Sequence, residues 1–143
     1  MKIIKRALSA LLVLMFCLPA FAQNPGAKYA TYGVAFYNLE NLFDTINNNG
    51  KYDLEFSPKG DRKWDGKKYW SKIRNLGYVI SQMTTKTTPD GPAIIGCSEI
   101  ENRSVLEDLV NAPAIKDRGL KIVHHDSPDA RGVDVGLLYN PKF

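Results

Sequence analysis

Oxygen-bearing side chains recur in this sequence where apolar runs stop. Asn38, Glu40 and Asn41 close the run Gly-Val-Ala-Phe-Tyr, Glu99 and Glu101 close Ala-Ile-Ile-Gly-Cys-Ser, and a third polar cluster runs from Asp126 to Asp134. Carboxylates and amides of this kind hold hard cations or orient a phosphate. One such cluster is what any loop carries, whereas three at strand ends suggest a site built for a cation and an oxyanion. Open α/β sheets bind ligands beyond the carboxyl ends of their strands, which is where Glu99 falls. From these residues alone, Glu99 reads equally as a ligand and as the polar start of a loop, and Glu101 reads as solvated. His124 and His125 lie in a polar loop with no zinc-ligand spacing and read as solvated too.

The elements that must position these groups follow from periodicity. Residues 31–38, rich in aromatic and aliphatic side chains, read as a strand. Asn41, just before Leu42 and Phe43, could instead cap a helical turn. Residues 44–56 have the look of a calcium loop, but placing Gly50 at the sixth position puts Phe56 at the bidentate twelfth, so the stretch is an irregular polar loop. Trp64 is expected to anchor its continuation. Tyr69, Trp70, Ile73, Leu76, Gly77, Ile80 and Met83 recur at helical steps and predict a helix over 67–83, capped by Asp65 and stopped before Pro89. The unalternating apolar run at 93–98 predicts a strand covered on both faces. A strand, a helix and a strand in succession imply a parallel pair. Ser104-Val-Leu-Glu107 has capping-box spacing and predicts a short helix with Val105, Leu106, Leu109 and Val110 inward. Two further strands are expected at 119–123 and 133–139.

Composition limits the context. With 143 residues there is room for one domain and one core. Lys2, Lys5 and Arg6, an apolar stretch over 7–18 and Ala20-Phe21-Ala22 have the order of a cleaved export signal over residues 1–22, followed by a polar linker over 23–30. This predicts a mature chain from Gln23, export to the periplasm or beyond, and no stable membrane association after cleavage. Without the signal, 16 bases face 15 acids, so the overall charge does not require a polyanionic partner. A local patch remains in Lys59, Arg62, Lys63, Lys67, Lys68, Lys72 and Arg74, suited to phosphates or to a solvated helix face. Cys97, alone in the mature chain, excludes a disulfide framework and reads as a small core residue.

Three motifs then align with a known family. Phe36-Tyr-Asn-Leu-Glu-Asn-Leu-Phe-Asp44, Ile95-Gly-Cys-Ser-Glu-Ile-Glu-Asn102 and Ser127-Pro-Asp-Ala-Arg-Gly-Val-Asp-Val-Gly-Leu-Leu-Tyr139 together resemble the endonuclease/exonuclease/phosphatase superfamily, most closely its exported bacterial members. The resemblance covers residues 31–143. It implies an α/β fold in which a two-sheet sandwich is flanked by helices, with the site at the strand ends. It implies hydrolysis of a phosphodiester, nucleic acid among the candidate substrates, with Mg2+ (or Mn2+ or Ca2+) as cofactor. By match, Glu99 is the metal-ligating glutamate, Asn38 positions metal and phosphate, and Arg131 lies near the substrate phosphate. The family's later Asp-x-Asn and Ser-Asp-His motifs do not occur here, so the catalytic histidine of the last motif has no counterpart in His124 or His125. On that reading the chain corresponds to the N-terminal part of the domain, inactive by itself. The alternative is a non-catalytic remnant that keeps a phosphate or nucleic-acid cradle.

Overall fold

A computed structural model of the protein describes residues 29–46 and 55–143. The export signal, most of the linker and the centre of the calcium-loop look-alike lie outside the described residues. The chain runs β1 (Val34–Leu42), α1 (Gly66–Ser81), β2 (Ile94–Ile100), α2 (Arg103–Val110), a 3-10 turn (Lys116–Arg118), β3 (Lys121–His125) and β4 (Asp134–Tyr139). The strands form one sheet in the order β1-β2-β4-β3. β1 and β2 are parallel, joined through α1 as expected, while β4 is antiparallel to both β2 and β3.

The helix periodicity translates directly. Asp65 caps α1 by accepting from the Lys68 N–H at 2.9 Å, which satisfies one of the four unpaired donors of the first turn. Tyr69, Ile73, Leu76, Gly77 and Ile80 are the buried stripe, whereas Trp70 stays half exposed with its ring edge-on to Tyr69. Gly77 is required by proximity, since a Cβ there would stand 2.7 Å from the Ala112 Cβ. Trp64 anchors its loop, donating from Nε1 to the Phe43 carbonyl at 2.9 Å and meeting Phe56 edge to face. α2 begins two residues earlier than the capping box implies. Its cap is Asn102, whose Oδ1 accepts from the Val105 N–H, and Ser104 lies inside the helix, donating to that same oxygen. Val105, Leu106 and Leu109 are buried as expected.

One side of the sheet carries the core. Ala35, Tyr37, Ile95, Cys97, Gly136, Leu138 and Ile122 share it with α1 and α2. α2 approaches β4 so closely that a Cβ on Gly136 would meet the Leu106 Cδ1 at 2.6 Å. Burial pushes the Cys97 thiol up to about 12. Since the thiolate is the nucleophile, Cys97 is expected to resist a disulfide-exchange reagent at pH 8 and to react fully only in denaturant. Rapid labelling of the native protein would contradict this packing.

The other side departs from the expectation that β2 is covered on both faces. Val34, Phe36, Ile94, Val123, Val135 and Tyr139 are exposed there, Val34 at 76% and Phe36 at 73%. Among the described residues a single sheet forms, with its two helices on one face, and the second sheet of a sandwich is not present. Strand limits shift as well. β1 runs four residues past Asn38, so Asn41 caps no helix, and β3 extends through both histidines. A strand bounded by polar residues is lengthened by ladder pairing, which the apolar pattern does not register.

Candidate active site

The site begins as an irregularity in the β1–β2 ladder. Asn38 pairs with Ser98 and Leu42 with Ile100, so β1 spends three residues where β2 spends one. The surplus is absorbed by left-handed backbone at Glu40 (φ 53°), Asn41 (φ 56°) and Glu99 (φ 58°). None is glycine, and each costs about 1–3 kcal/mol that the surroundings must offset. Bulges of this sort re-aim side chains at sheet ends. Here the Asn41 N–H donates to Glu99 Oε2 at 3.2 Å, and the Glu40 N–H donates to Asn38 Oδ1 at 2.7 Å. Lys72, reaching over from α1, donates from Nζ to the carbonyls of Glu40 and Asn41.

The antiparallel sense of β4 brings its entry loop to this same end, with Asp134 opposite Ile100. Arg131 in that loop stands with Nη1 3.6 Å from Glu99 Oε1. Its other edge forks onto Asp129, with Nη2 2.9 Å from Oδ2 and Nε 3.2 Å from Oδ1. Hydrogen bonding from Arg131 holds the Asp129 carboxyl below its ordinary range. Asn38, Glu99 and Arg131, far apart in sequence, are thus gathered at one end of the sheet. Glu99 is part of β2, at its bulge, rather than beyond its end.

Three assignments change. Glu101 is buried at 4% exposure rather than solvated, and accepts from the Asp44 N–H at 2.7 Å. Asp44 in turn accepts from Asn102 Nδ2 at 3.0 Å, so this acid pair ties the exit of β1 to the start of α2. His124 is not solvated either: its Nε2 lies 2.9 Å from Asp134 Oδ2, and both side chains are only 11% exposed. Lys72 leaves the basic patch, being half-buried, and its burial lowers its pKa despite Glu40 and Glu99 nearby. The other six bases of the patch are exposed.

Two groups of side chains are candidates for a cation. Asn38 and Glu99 offer one amide and one carboxylate at an open strand end, a set that suits magnesium, which keeps several waters and takes few carboxylates. His124, Asp126 and Asp134 place one ligand atom each within 4.8 Å of one another. The sequence places Asp126 and Asp134 in one polar cluster, but His124 joins them only through the β3–β4 pairing. Both Asp134 oxygens are already engaged there, Oδ1 by the Ser127 N–H at 2.8 Å and Oδ2 by His124. Its geometry is that of a latch on the Arg131 loop.

A family model described as Endonuclease/Exonuclease/phosphatase family matches residues 33–143. The chain belongs to this family. No curated protein and no solved structure matches it. Membership covers nearly all of the described residues and agrees with a mixed α/β architecture of four strands and two helices. Among the described residues, no helix of this family member is long and apolar enough to cross a membrane.

Proposed function

We propose that residues 31–143 supply the metal- and phosphate-holding part of an exported, magnesium-dependent phosphoesterase that cleaves phosphodiesters. Membership of the family supports phosphoester chemistry in general. The finer reading rests on one observation, the meeting of Glu99 and Arg131 at 3.6 Å beside Asn38. Glu99 and Asn38 would hold the cation. When bound, it would neutralise charge on the phosphoryl oxygens and lower the pKa of a bound water. Arg131, exposed and already paired with carboxylate oxygens, can exchange Asp129 for a phosphate oxygen in the same forked geometry. The exposed bases at the start of α1 favour an extended polyanion over a small phosphate ester.

Proton transfer needs a further group. By the resemblance, the base comes from the family's later Ser-Asp-His motif, to which His124 does not correspond and which these residues do not include. The same observation supports a second reading, in which the cradle binds phosphate without turnover. A titration with Mn2+ followed by NMR line broadening tests the site. Broadening should appear first at residues 38–41, 99–100 and 129–132, and the 143-residue chain alone should show no Mg2+-dependent hydrolysis of bis(p-nitrophenyl) phosphate. Broadening confined to 124–126 and 134 would overturn the cation assignment. Turnover by this chain would overturn the assignment of the base. If later motifs are appended and hydrolysis still fails, the binding-only reading stands.

A further inference from the structure

We propose that Lys72 is a positioning residue for this site, acting on the Glu99 carboxylate through the backbone of Asn41. The inference rests on the reading of Glu99 as a cation ligand. At the β1 bulge the carbonyls of Glu40 and Asn41 face Lys72 of α1, and that of Asn41 also accepts the Phe43 N–H at 3.0 Å. The Lys72 ammonium takes both of them. The peptide N–H of that same Asn41 is what holds Glu99 Oε2. Lys72 therefore fixes one face of a short left-handed segment whose other face fixes the carboxylate. The side chain is itself well supported. It rises from the middle of α1, is half-buried, and its Nζ lies 5.6 Å from the centre of the Trp64 ring, which is anchored in turn on the Phe43 carbonyl. Lys68, one turn earlier, spends its Nζ on the Arg62 carbonyl instead, so the role is not shared along the helix.

The charged groups facing Lys72 are Glu40 and Glu99. Electrostatics alone would make Lys72 harmful to cation binding, since a fixed positive charge beside a metal ligand repels the metal. Removing it should then tighten binding. The positioning role predicts the opposite sign, because a carboxylate released from its N–H must be ordered again each time a cation binds.

Mn2+ affinity of the full chain, read from NMR broadening at residues 99–100, separates the two, with thermal unfolding measured alongside. Lys72→Met is expected to weaken Mn2+ binding about tenfold. Lys72→Arg, which can still donate to both carbonyls, should restore it to within about threefold of the parent, and Lys68→Met should leave it unchanged. Affinity unchanged or tightened in Lys72→Met, while Glu99→Gln abolishes binding, would overturn the positioning role and leave the site standing. If Glu99→Gln also binds as the parent does, the cation reading of Glu99 fails and takes this inference with it. Should Lys72→Met unfold, the Arg variant decides: a tenfold loss there despite a parent-like melt would overturn the carbonyl clamp.

Discussion

Glu99→Gln should fold like the parent and lose metal-dependent hydrolysis almost entirely. Under the proposed function, the assay uses residues 31–143 in a protein that also carries the Asp-x-Asn and Ser-Asp-His motifs. The amide oxygen of glutamine can still accept from the Asn41 N–H, so the bulge keeps its tie. What disappears is the one formal negative charge that this end of the sheet offers to a cation through β2. A carboxylate bound directly to the metal contributes several kcal/mol to the transition state, so turnover should fall at least about a thousandfold, or about 4 kcal/mol. The melting midpoint should move little, because the ion pair lost with Arg131 is largely solvated, with the arginine side chain 52% exposed. A fall of less than tenfold in turnover would remove Glu99 from the site.

Glu101→Ala, two residues on, should do the reverse. Its carboxylate is buried and accepts the Asp44 N–H at 2.7 Å, in a linkage that continues through Asn102 to the cap of α2. Truncation leaves a buried donor unsatisfied, at a cost of about 1–3 kcal/mol. For a domain of this size that lowers the melting midpoint by roughly 5–15 °C. Mn2+ affinity at Glu99 should stay within about twofold of the parent, since Glu101 points to the other side of the bulge, into the β1–α2 junction. A melt unchanged from the parent, or a loss of cation binding as deep as that of Glu99→Gln, would show that the two glutamates had been distinguished wrongly.

The sequence alone could not separate them. Both follow an apolar run, and alternation by two would give Glu99 and Glu101 the same side of a regular strand. The left-handed turn at Glu99 breaks the alternation, and no residue there announces it, because glycine is the usual marker of positive φ and glutamate stands in its place. His124 was misread for a similar reason. Its partner Asp134 comes from the neighbouring strand, and pairing across a hairpin leaves no local trace. What was legible had local causes: the Asp65 cap, the stripe from Tyr69 to Ile80, the parallel pair implied by its crossover helix and the apolar setting of Cys97. The two-sided cover expected for β2 was inferred from a run without alternation. Such a run reports apolar side chains on both faces, not what lies against them, and Val34, Phe36 and Val135 are apolar and exposed.

The direction of β4 bears on how this protein can change over generations. Because β4 enters the sheet at the end where β2 leaves it, Arg131 sits on a loop that both begins and ends at that border, between His125 and Asp134. Residues can be gained or lost there without shifting a single pair in the β2–β4 or β3–β4 registers, provided Asp134 keeps Ser127 and His124. The Glu99 end has no such freedom, since Glu99 stands between Ser98 and Ile100, both of which are paired in the ladder. Descendants of this chain can therefore reshape the Arg131 loop quickly, by length and composition, while the Glu99 end, the cation end of the proposed function, is inherited almost unchanged with the sheet.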